Sequence, residues 1–383
     1  MIAYKEIAQI KNVKGLNPVT GDYSYEENGR GYLYIDGVLL EKEEAASKIV
    51  SVGEYTYVRY NRYGTLEVYS GHTLLKVFER DIRLLDGDVG AYVGYRIYTP
   101  KTLDASENIL SISDGQPLLL HNVPYWLYKV GEEIIGYKIL ECKLSRLNYS
   151  GEVLWTFDLP LRPRSGEPDN LDKVLGIAQG LLWICSRWYR LIALDLETGK
   201  PVHQFSGGWF DEDHSNYIVL DSLGWCFFRE AEKTIVLISN FGVQILDATT
   251  AKIIEGYSFS EVDPQGIGAF EYFDAARLYG DCLTFIAQRH REAHGYRCAG
   301  IFDLKARQFS WIGDIISLEE KMSTGNHLIA QFPLQMEGNR LYIKDAENTL
   351  HIYQKEWRLK AQVRPQSEAT ASAVCATTPT VGR

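Results

Sequence analysis

The sequence predicts an all-β protein, specifically a β-propeller of about seven four-stranded blades, with eight blades as the alternative. The first observation is the segment LIALDLETGKPVHQF (residues 191–205), in which an apolar strand, a tight Asp-x-x-Thr-Gly turn and a second strand follow one another. The second is that weaker copies of this pattern recur along the chain. The third is the composition, with 25 Tyr against 3 Met. Val, Ile, Tyr, Phe and Trp form short runs bounded by Gly, Asp and Asn, as is typical of half-buried strands.

The repeats divide most of the chain into units of four strands. Copies of the strand-turn-strand pattern lie at residues 64–78, 146–159, 242–259 and 300–312. With the best copy as a template, seven units are expected at 48–78, 82–121, 125–159, 173–205, 225–259, 269–312 and 327–363. We therefore predict a propeller over residues 47–363.

The two ends of the chain differ from the repeats. Residues 1–46 contain the hairpin YLYIDGVLLEK (residues 32–42), which is either an eighth, partial blade or a segment that closes the ring. Residues 364–383 are rich in Ala, Thr and Ser and poor in large apolar side chains, so we expect a disordered tail.

Charge and cysteine usage limit the classes of function. A net charge of −10 argues against a protein held to nucleic acid by phosphate contacts, and it suits a basic protein partner. The first residues do not have the pattern of a secretory signal, and no apolar run is long enough for a membrane span. Six widely spaced cysteines are expected to be free thiols, which indicates a cytoplasmic location.

The motif Ala193-x-Asp195-x-x-Thr198-Gly199-Lys200, together with GEVLWTF at residues 151–157, resembles the repeats of the PQQ-type (quinoprotein-like) β-propeller superfamily. Trp155 occupies the position of the family's tryptophan that packs between neighbouring blades, whereas the best turn carries His203 there. The chain lacks an adjacent Cys pair and a full set of docking tryptophans. The resemblance therefore implies the cofactor-free branch, whose members act as scaffolds, and no bound cofactor.

Asp195 and Gly199 are expected to be structural, because an Asp side chain accepts backbone N–H bonds in such a turn and Gly adopts positive φ. The long polar insertions at 159–170, 206–216, 260–266 and 288–297 are all assigned to one face of the propeller. Long loops on a rigid scaffold are where binding residues concentrate. We predict partner binding on this face by Arg162, Arg164, Arg187, Trp188, Tyr189, Trp209, Asp211, Asp213, His214, Arg289 and His290.

Two of these loops contain residues that also suit metal binding. The loop GGWFDEDHSN (residues 207–216) clusters carboxylates but lacks the alternating spacing of a calcium loop, so a solvated acidic loop is favoured. His290, His294 and Cys298 are spaced four residues apart, but without a helix this spacing is weak evidence for zinc. No metal site and no catalytic set is therefore predicted.

The resulting hypothesis is a non-enzymatic cytoplasmic propeller that binds a protein through its loop-rich face, with an immunity or adaptor protein as one concrete form. The alternative is a hydrolase or lactonase-like enzyme, or a carbohydrate binder, at the mouth of the central channel. That site would combine a divalent cation with Asp213, His214, His290 and Arg187.

Overall fold

In a computed structural model of the chain, the described residues are 2–17, 20–52, 54–60, 65–79, 82–89, 92–98, 105–111, 125–162, 165–188, 190–207, 217–218, 224–290, 292, 295–324 and 334–357. They form 32 strands and three short helices. The predicted disordered tail at 364–383 lies outside the described residues. No helix among those described is long and apolar enough to cross a membrane.

The strands assemble into eight sheets, numbered here in chain order. Sheet 1 contains β2 (Val13–Leu16), β3 (Tyr23–Glu27), β4 (Arg30–Ile35) and β5 (Val38–Lys42). Sheet 2 contains β6 (Lys48–Val52), β7 (Tyr55–Arg59), β8 (Thr65–Ser70) and β9 (Thr73–Glu79). Sheet 3 contains β10 (Ile82–Val89), β11 (Tyr92–Tyr98) and β12 (Ala105–Ser111). Sheet 4 contains β13 (Trp126–Val130), β14 (Glu133–Lys138), β15 (Lys143–Leu147) and β16 (Val153–Asp158).

The second half of the chain continues the series. Sheet 5 contains β17 (Leu171–Ala178), β18 (Leu181–Ser186), β19 (Arg190–Asp195), β20 (Pro201–Gly207) and the short parallel strand β21 (Tyr217–Ile218). Sheet 6 contains β22 (Trp225–Arg229), β23 (Thr234–Ile238), β24 (Gly242–Asp247) and β25 (Lys252–Ser258). Sheet 7 contains β26 (Tyr272–Tyr279), β27 (Cys282–Gln288), β28 (Cys298–Asp303) and β29 (Gln308–Asp314). Sheet 8 contains β30 (Gln335–Glu337), β31 (Arg340–Lys344), β32 (Leu350–Trp357) and β1 (Ile2–Ile10).

The predicted propeller of four-stranded blades is confirmed. Seven of the sheets contain four antiparallel strands in succession. The described part of sheet 3 contains three strands. The first strands of successive sheets lie side by side, as expected where innermost strands surround a central channel. The pairs that show this are β2 with β6, β6 with β10, β10 with β13, β13 with β17, and β17 with β22.

Residues 1–46 contribute in two different ways. The strands β2–β5 form a sheet of their own, and β1 pairs antiparallel with β32, from Ile2 opposite Trp357 to Ile10 opposite Leu350. The first strand of the chain is therefore the outermost strand of the last sheet. Since β2 follows directly and Val13 packs with Tyr342 and Leu350, sheet 8 is joined to sheet 1 and the ring is closed.

A buried histidine holds this closing strand. His351 of β32 is 6% exposed; its Nδ1 lies 2.8 Å from Glu6 Oε1 of β1, and its Nε2 lies 3.3 Å from Asp345 Oδ2. Burial alone would lower the pKa of His351, but the hydrogen bonds to Asp345 and Glu6 outweigh burial and raise the pKa above its usual value. The ring thus links the first and last parts of the chain, and in its protonated form these hydrogen bonds are charge-assisted.

The apolar core lies between sheets rather than in one central mass. Each described cluster joins two neighbours: Ile135 with Ile184 between sheets 4 and 5, Trp183 with Leu237 between sheets 5 and 6, Val243 with Phe285 between sheets 6 and 7, Ile301 with Tyr353 between sheets 7 and 8, and Leu33 with Ile49 between sheets 1 and 2. Every sheet in these pairs therefore depends on its neighbours to bury its faces.

One hydrogen-bonded contact, which we call the clamp, recurs between sheets. The residue after the turn aspartate donates its N–H to the preceding turn of its own sheet and accepts a bond from an aromatic side chain of the sheet before. Leu196 N donates to Gly180 O at 2.8 Å, and Leu196 O accepts the Trp155 indole N–H at 2.8 Å. The predicted packing of Trp155 between neighbouring blades is confirmed.

The clamp appears twice more with different aromatic residues. Ala248 N donates to Lys233 O at 2.9 Å, and Ala248 O accepts the indole N–H of Trp183 at 2.9 Å. Leu304 N donates to Asp281 O at 2.9 Å, and Leu304 O lies 3.4 Å from the Tyr257 hydroxyl. Trp155 and Tyr257 lie on fourth strands, but Trp183 lies on a second strand, in register with Ala193 and His203.

The turn that carries the first clamp has the structural role expected from the sequence. Asp195 Oδ1 accepts the Thr198 backbone N–H at 2.8 Å and the Thr198 hydroxyl at 2.6 Å. These bonds lower the pKa of Asp195. Gly199 has a φ of +69°, and a Cβ added there would lie 2.5 Å from the Trp155 ring. The glycine therefore serves both the turn and the close approach of the indole.

We expect Gly199→Ala to destabilise the protein more than Gly180→Ala. Both glycines have positive φ, +69° and +74°, so alanine costs about 1–2 kcal/mol at either position. Only at Gly199 would the new methyl group clash with Trp155, since nothing lies within 4 Å of a Cβ at Gly180. Overpacking should add roughly 1–3 kcal/mol. Chemical denaturation checks this difference, and equal losses for the two variants would show that the indole does not limit the turn.

Candidate functional site

The two ends of the propeller differ in chemistry. Turns at 179–180, 196–200, 230–233, 248–251, 280–281 and 304–307 lie at one end, the turn face, where the clamps are made. The other end, the loop face, carries the described residues of the connections 139–142, 159–170, 187–189, 239–241, 259–271, 289–297, 315–334 and 345–349. The helices α1 (Phe259–Val262), α2 (Pro264–Ile267) and α3 (Leu318–Thr324) all lie in loop-face connections.

Three predicted residues meet where sheet 5 begins. The connection 159–170 forms a small hairpin, with Leu161 paired to Pro168. Arg162 projects from it with its guanidinium carbon 5.5 Å from the centre of the Trp188 ring, at cation–π distance. Arg187, which is exposed, donates its backbone N–H to Asn170 O at 2.9 Å. Arg162, Arg187 and Trp188 thus form one surface at the start of sheet 5.

This surface continues to sheet 4. The Tyr137 hydroxyl donates to Asn170 Oδ1 at 3.2 Å and accepts the Leu171 backbone N–H at 3.2 Å. Burial is the main cause that raises the pKa of Tyr137 above its usual value, and the hydrogen bond from the Leu171 N–H opposes it in part. The hydroxyl therefore stays protonated and fixes the end of the connection to the neighbouring sheet.

Two strongly exposed apolar residues on this face were missed by the sequence analysis. Leu140 is 100% exposed in the turn between β14 and β15, and Phe241 is 74% exposed between β23 and β24. Phe241 N donates to Ser239 Oγ at 3.2 Å, and Phe241 O accepts the Phe259 N–H at 2.9 Å. The only sequence signal was a large apolar residue within a turn of three or four residues.

Arg289 and His290, also predicted to bind a partner, have different surroundings. Arg289 donates from Nε to Asp314 Oδ1 at 2.8 Å and from Nη1 to Ala269 O at 3.0 Å. Its guanidinium is therefore engaged within the fold, while His290 is exposed beside it. We infer that Arg289 shapes the face through an ion network.

The network extends beneath the surface of sheet 7. The guanidinium of Arg297, whose side chain is 8% exposed, contacts Asp314 Oδ2 at 2.8 Å and donates from Nε to Glu292 Oε2 at 2.7 Å. Lys321 Nζ lies 3.7 Å from Glu292 Oε2. The hydrogen bond from Arg297 lowers the pKa of Glu292. Burial would raise the pKa of Asp314, but Arg297 and Arg289 together hold it below its usual value.

Several predicted residues cannot be placed on this face. Arg164, Tyr189, Trp209, Asp211, Asp213, His214 and His294 lie outside the described residues. The channel-mouth alternative depends on Asp213 and His214, so it stays a hypothesis. Within the described part of the chain, no group of three or more His, Cys, Asp and Glu side chains is arranged to hold a metal ion.

A cavity of about 530 Å3 lies towards the turn face, where the first strands of sheets 5, 6 and 7 approach one another. Its wall includes Lys173, Phe227 and Arg229. The Arg229 guanidinium is paired with Asp281 Oδ1 at 3.0 Å and Gly280 O at 3.1 Å, and Lys173 Nζ lies 5.3 Å from the Phe227 ring centre. These wall cations are thus engaged by neighbouring groups, at the opposite end from the predicted channel-mouth site.

Comparison with known proteins supports the fold. No protein-family model and no curated protein matches the sequence. The C-terminal WD40 domain of Sif2 has a TM-score of 0.56 at 12% identity, with 92% of this chain and 98% of that chain covered. Sqt1 of Saccharomyces cerevisiae has a TM-score of 0.53 at 10% identity, with coverage of 92% and 97%. BamB from Moraxella catarrhalis is also similar, with a TM-score of 0.46, 12% identity and coverage of 92% and 100%. At these identities the likeness to Sif2 and Sqt1 shows a β-propeller fold.

We expect Glu292→Gln to lower the free energy of unfolding by about 3 kcal/mol at neutral pH, because it leaves Arg297 and Lys321 buried with less compensating charge. The pKa of Glu292 is lowered in the folded state. Its contribution is therefore complete above the unfolded-state pKa and is lost as the pH falls through the folded-state pKa. The difference in the free energy of unfolding between wild type and variant should therefore become smaller in acid. Chemical denaturation at a series of pH values measures it.

Glu230→Gln is the matched control, since Glu230 pairs with Lys233 at the surface and its side chain is 73% exposed. We expect that change to cost less than about 1 kcal/mol at every pH. Two results would contradict a stabilising ion network. One is an equal loss of unfolding free energy in the two variants, and the other is a loss in Glu292→Gln that does not vary with pH.

Proposed function

We propose that the chain is a protein-binding scaffold that engages its partner through the part of the loop face formed by sheets 4, 5 and 6. The observation that carries the proposal is the exposure of Leu140 and Phe241 on short turns of the same face that presents Arg162, Arg187 and Trp188. Aromatic residues, arginine and exposed apolar side chains on one surface are typical of protein interfaces. The propeller fold alone does not specify a function, so the proposal depends on these residues.

The backbone around these side chains is already ordered. Both the N–H and the carbonyl of Phe241 are hydrogen-bonded, and Asn240 Oδ1 accepts the Phe273 N–H at 2.7 Å. Arg187 is held through its N–H to Asn170. A partner would therefore bind a preformed surface, which avoids much of the entropic cost of ordering loops on binding.

The charge of the chain suggests the character of the partner. A net charge of −10 favours encounter with a basic protein, while the exposed Arg187 would supply local hydrogen-bond donors to carboxylates. We further propose a cytoplasmic adaptor or immunity role, since binding through one rigid face is what such a role requires. Trp209, Asp211, Asp213, His214, Arg164 and Tyr189 are proposed as further contacts from sequence alone.

We also propose a place among the cofactor-free relatives of the PQQ-type propellers. The support is local: the turn from Asp195 to Gly199 and the docking of Trp155 on that turn reproduce the arrangement that the sequence resemblance implies.

Affinity purification from the native host, with bound proteins identified by mass spectrometry, tests the proposed function. We expect a stoichiometric partner with wild type, and at least a tenfold loss of affinity with Phe241→Ser and with Arg187→Glu, corresponding to hot-spot losses of about 1.4 kcal/mol or more.

Ile254→Ser is the matched control, because Ile254 is 59% exposed on the outer strand of the same sheet as Phe241 but away from the loop face. The control should bind like wild type. A partner whose binding is lost with Ile254→Ser but kept with Phe241→Ser and Arg187→Glu would refute the proposed face.

A further inference from the structure

Two thiols meet across the interface between sheets 5 and 6. Cys185 lies in β18 and Cys226 in β22, and their sulfur atoms are 3.5 Å apart. The Cys226 thiol is directed at Cys185 Sγ, and the Cys185 thiol is directed at Ser186 O at 3.6 Å. The two residues are 5% and 3% exposed and belong to one apolar cluster with Trp183 and Leu237.

We propose that Cys185 and Cys226 are an oxidisable pair that forms a disulfide between sheets 5 and 6. A disulfide has sulfur atoms about 2.05 Å apart, so each of these sulfurs, now 3.5 Å apart, need move by less than about 1 Å. Both residues are on regular strands of sheets that already pack together. Among the described cysteines, Cys185 and Cys226 are the one pair whose sulfur atoms contact each other.

The oxidant that completes the step is a small electrophile of the diazene class, such as diamide. One sulfur adds to a nitrogen of the N=N bond, and the second sulfur then attacks the first and displaces the nitrogen. The S–S bond forms, both thiols lose their protons, and the N=N bond is reduced to a hydrazine that carries two added hydrogens. The two electrons from the thiols pass to the diazene, so the exchange is balanced.

The surroundings predict slow oxidation. The hydrogen bond from Cys226 and the burial of the pair both raise the pKa of Cys185, so little thiolate is present near neutral pH. The reaction therefore requires transient opening between sheets 5 and 6 to admit the oxidant. Once formed, the cross-link joins positions 41 residues apart in the chain and restricts that opening.

The pair also lies next to the proposed binding surface. Cys185 is followed by Ser186, whose hydroxyl accepts the Arg190 N–H at 3.3 Å across the loop that contains Arg187 and Trp188. A disulfide at Cys185 would hold one end of this loop to sheet 6. The consequence for partner binding rests on the proposed function, whereas the cross-link itself does not.

The test is to treat the intact folded protein with diamide, alkylate the remaining thiols and map the cysteine peptides by mass spectrometry. We expect wild type to lose two thiols and to yield one intrachain cross-link that joins Cys185 to Cys226. The Tm should rise by several degrees, and a reducing thiol should reverse the change. Cys185→Ala and Cys226→Ala should both lose the cross-link, whereas Cys298→Ala, at another buried thiol, should keep it.

The proposal is overturned if folded wild type keeps both thiols after prolonged oxidation while denaturant-unfolded protein forms disulfides freely. It is also overturned if the cross-links map to other cysteines. Should an alanine variant fail to fold, the peptide map of wild type still decides the question. Failure to find a partner would count against the proposed function but would leave this mapping unaffected.

Discussion

The structure depends on the clamp between successive sheets, in which an aromatic N–H or O–H of one sheet bonds to a turn carbonyl of the next. Trp155, Trp183 and Tyr257 make this contact with Leu196, Ala248 and Leu304. Each such bond contributes about 1 kcal/mol, but removing the donor would leave a carbonyl without that partner at the edge of an apolar interface. Because the same residue also bonds to the preceding turn of its own sheet, the clamp fixes two sheets and a turn together.

A ring of this kind must also be closed. The chain does so by pairing β1 with β32, so residues 340 or more positions apart form one sheet. The buried hydrogen bonds of His351 with Glu6 and Asp345 join the two strands at this point. The clamps lie at the turn face, whereas the loop face displays exposed side chains such as Phe241. The proposed binding role is a consequence of that division.

The sequence predicted those parts of the fold that are encoded locally. Asp195, Thr198 and Gly199 form the turn that their spacing predicts, and Trp155 reaches it because both follow a repeated pattern. Trp183 was not identified as a docking residue, because it lies on a second strand and reaches the next sheet from a different point in the repeat. The pairing of β1 with β32 could not be predicted either, because a pattern within a short stretch of sequence does not show which distant strand it pairs with.

The candidate site was predicted less completely than the fold. Arg162, Arg187 and Trp188 do come together, because two connections at the same end of one sheet must be neighbours. The pairing of Arg289 with Asp314 could not be predicted, because the two residues are 25 positions apart in sequence and only the folded chain brings them together. Partner binding by Arg289 stays a prediction. Phe241 was missed because a single aromatic residue in a short turn resembles the adjoining strands, and only the folded chain shows that it is exposed.

Hydrogen exchange of the free protein, resolved to peptides by mass spectrometry, tests most directly whether the clamped ring presents a preformed loop face. In such a ring, amides around Arg187 and Phe241 should be protected nearly as well as those of the adjoining strands. Trp183→Phe, which removes only the indole donor to Ala248, should increase exchange in both sheets 5 and 6. Loop amides that exchange as fast as an unstructured peptide in wild type, or a Trp183→Phe effect confined to one sheet, would contradict a preformed, clamped face.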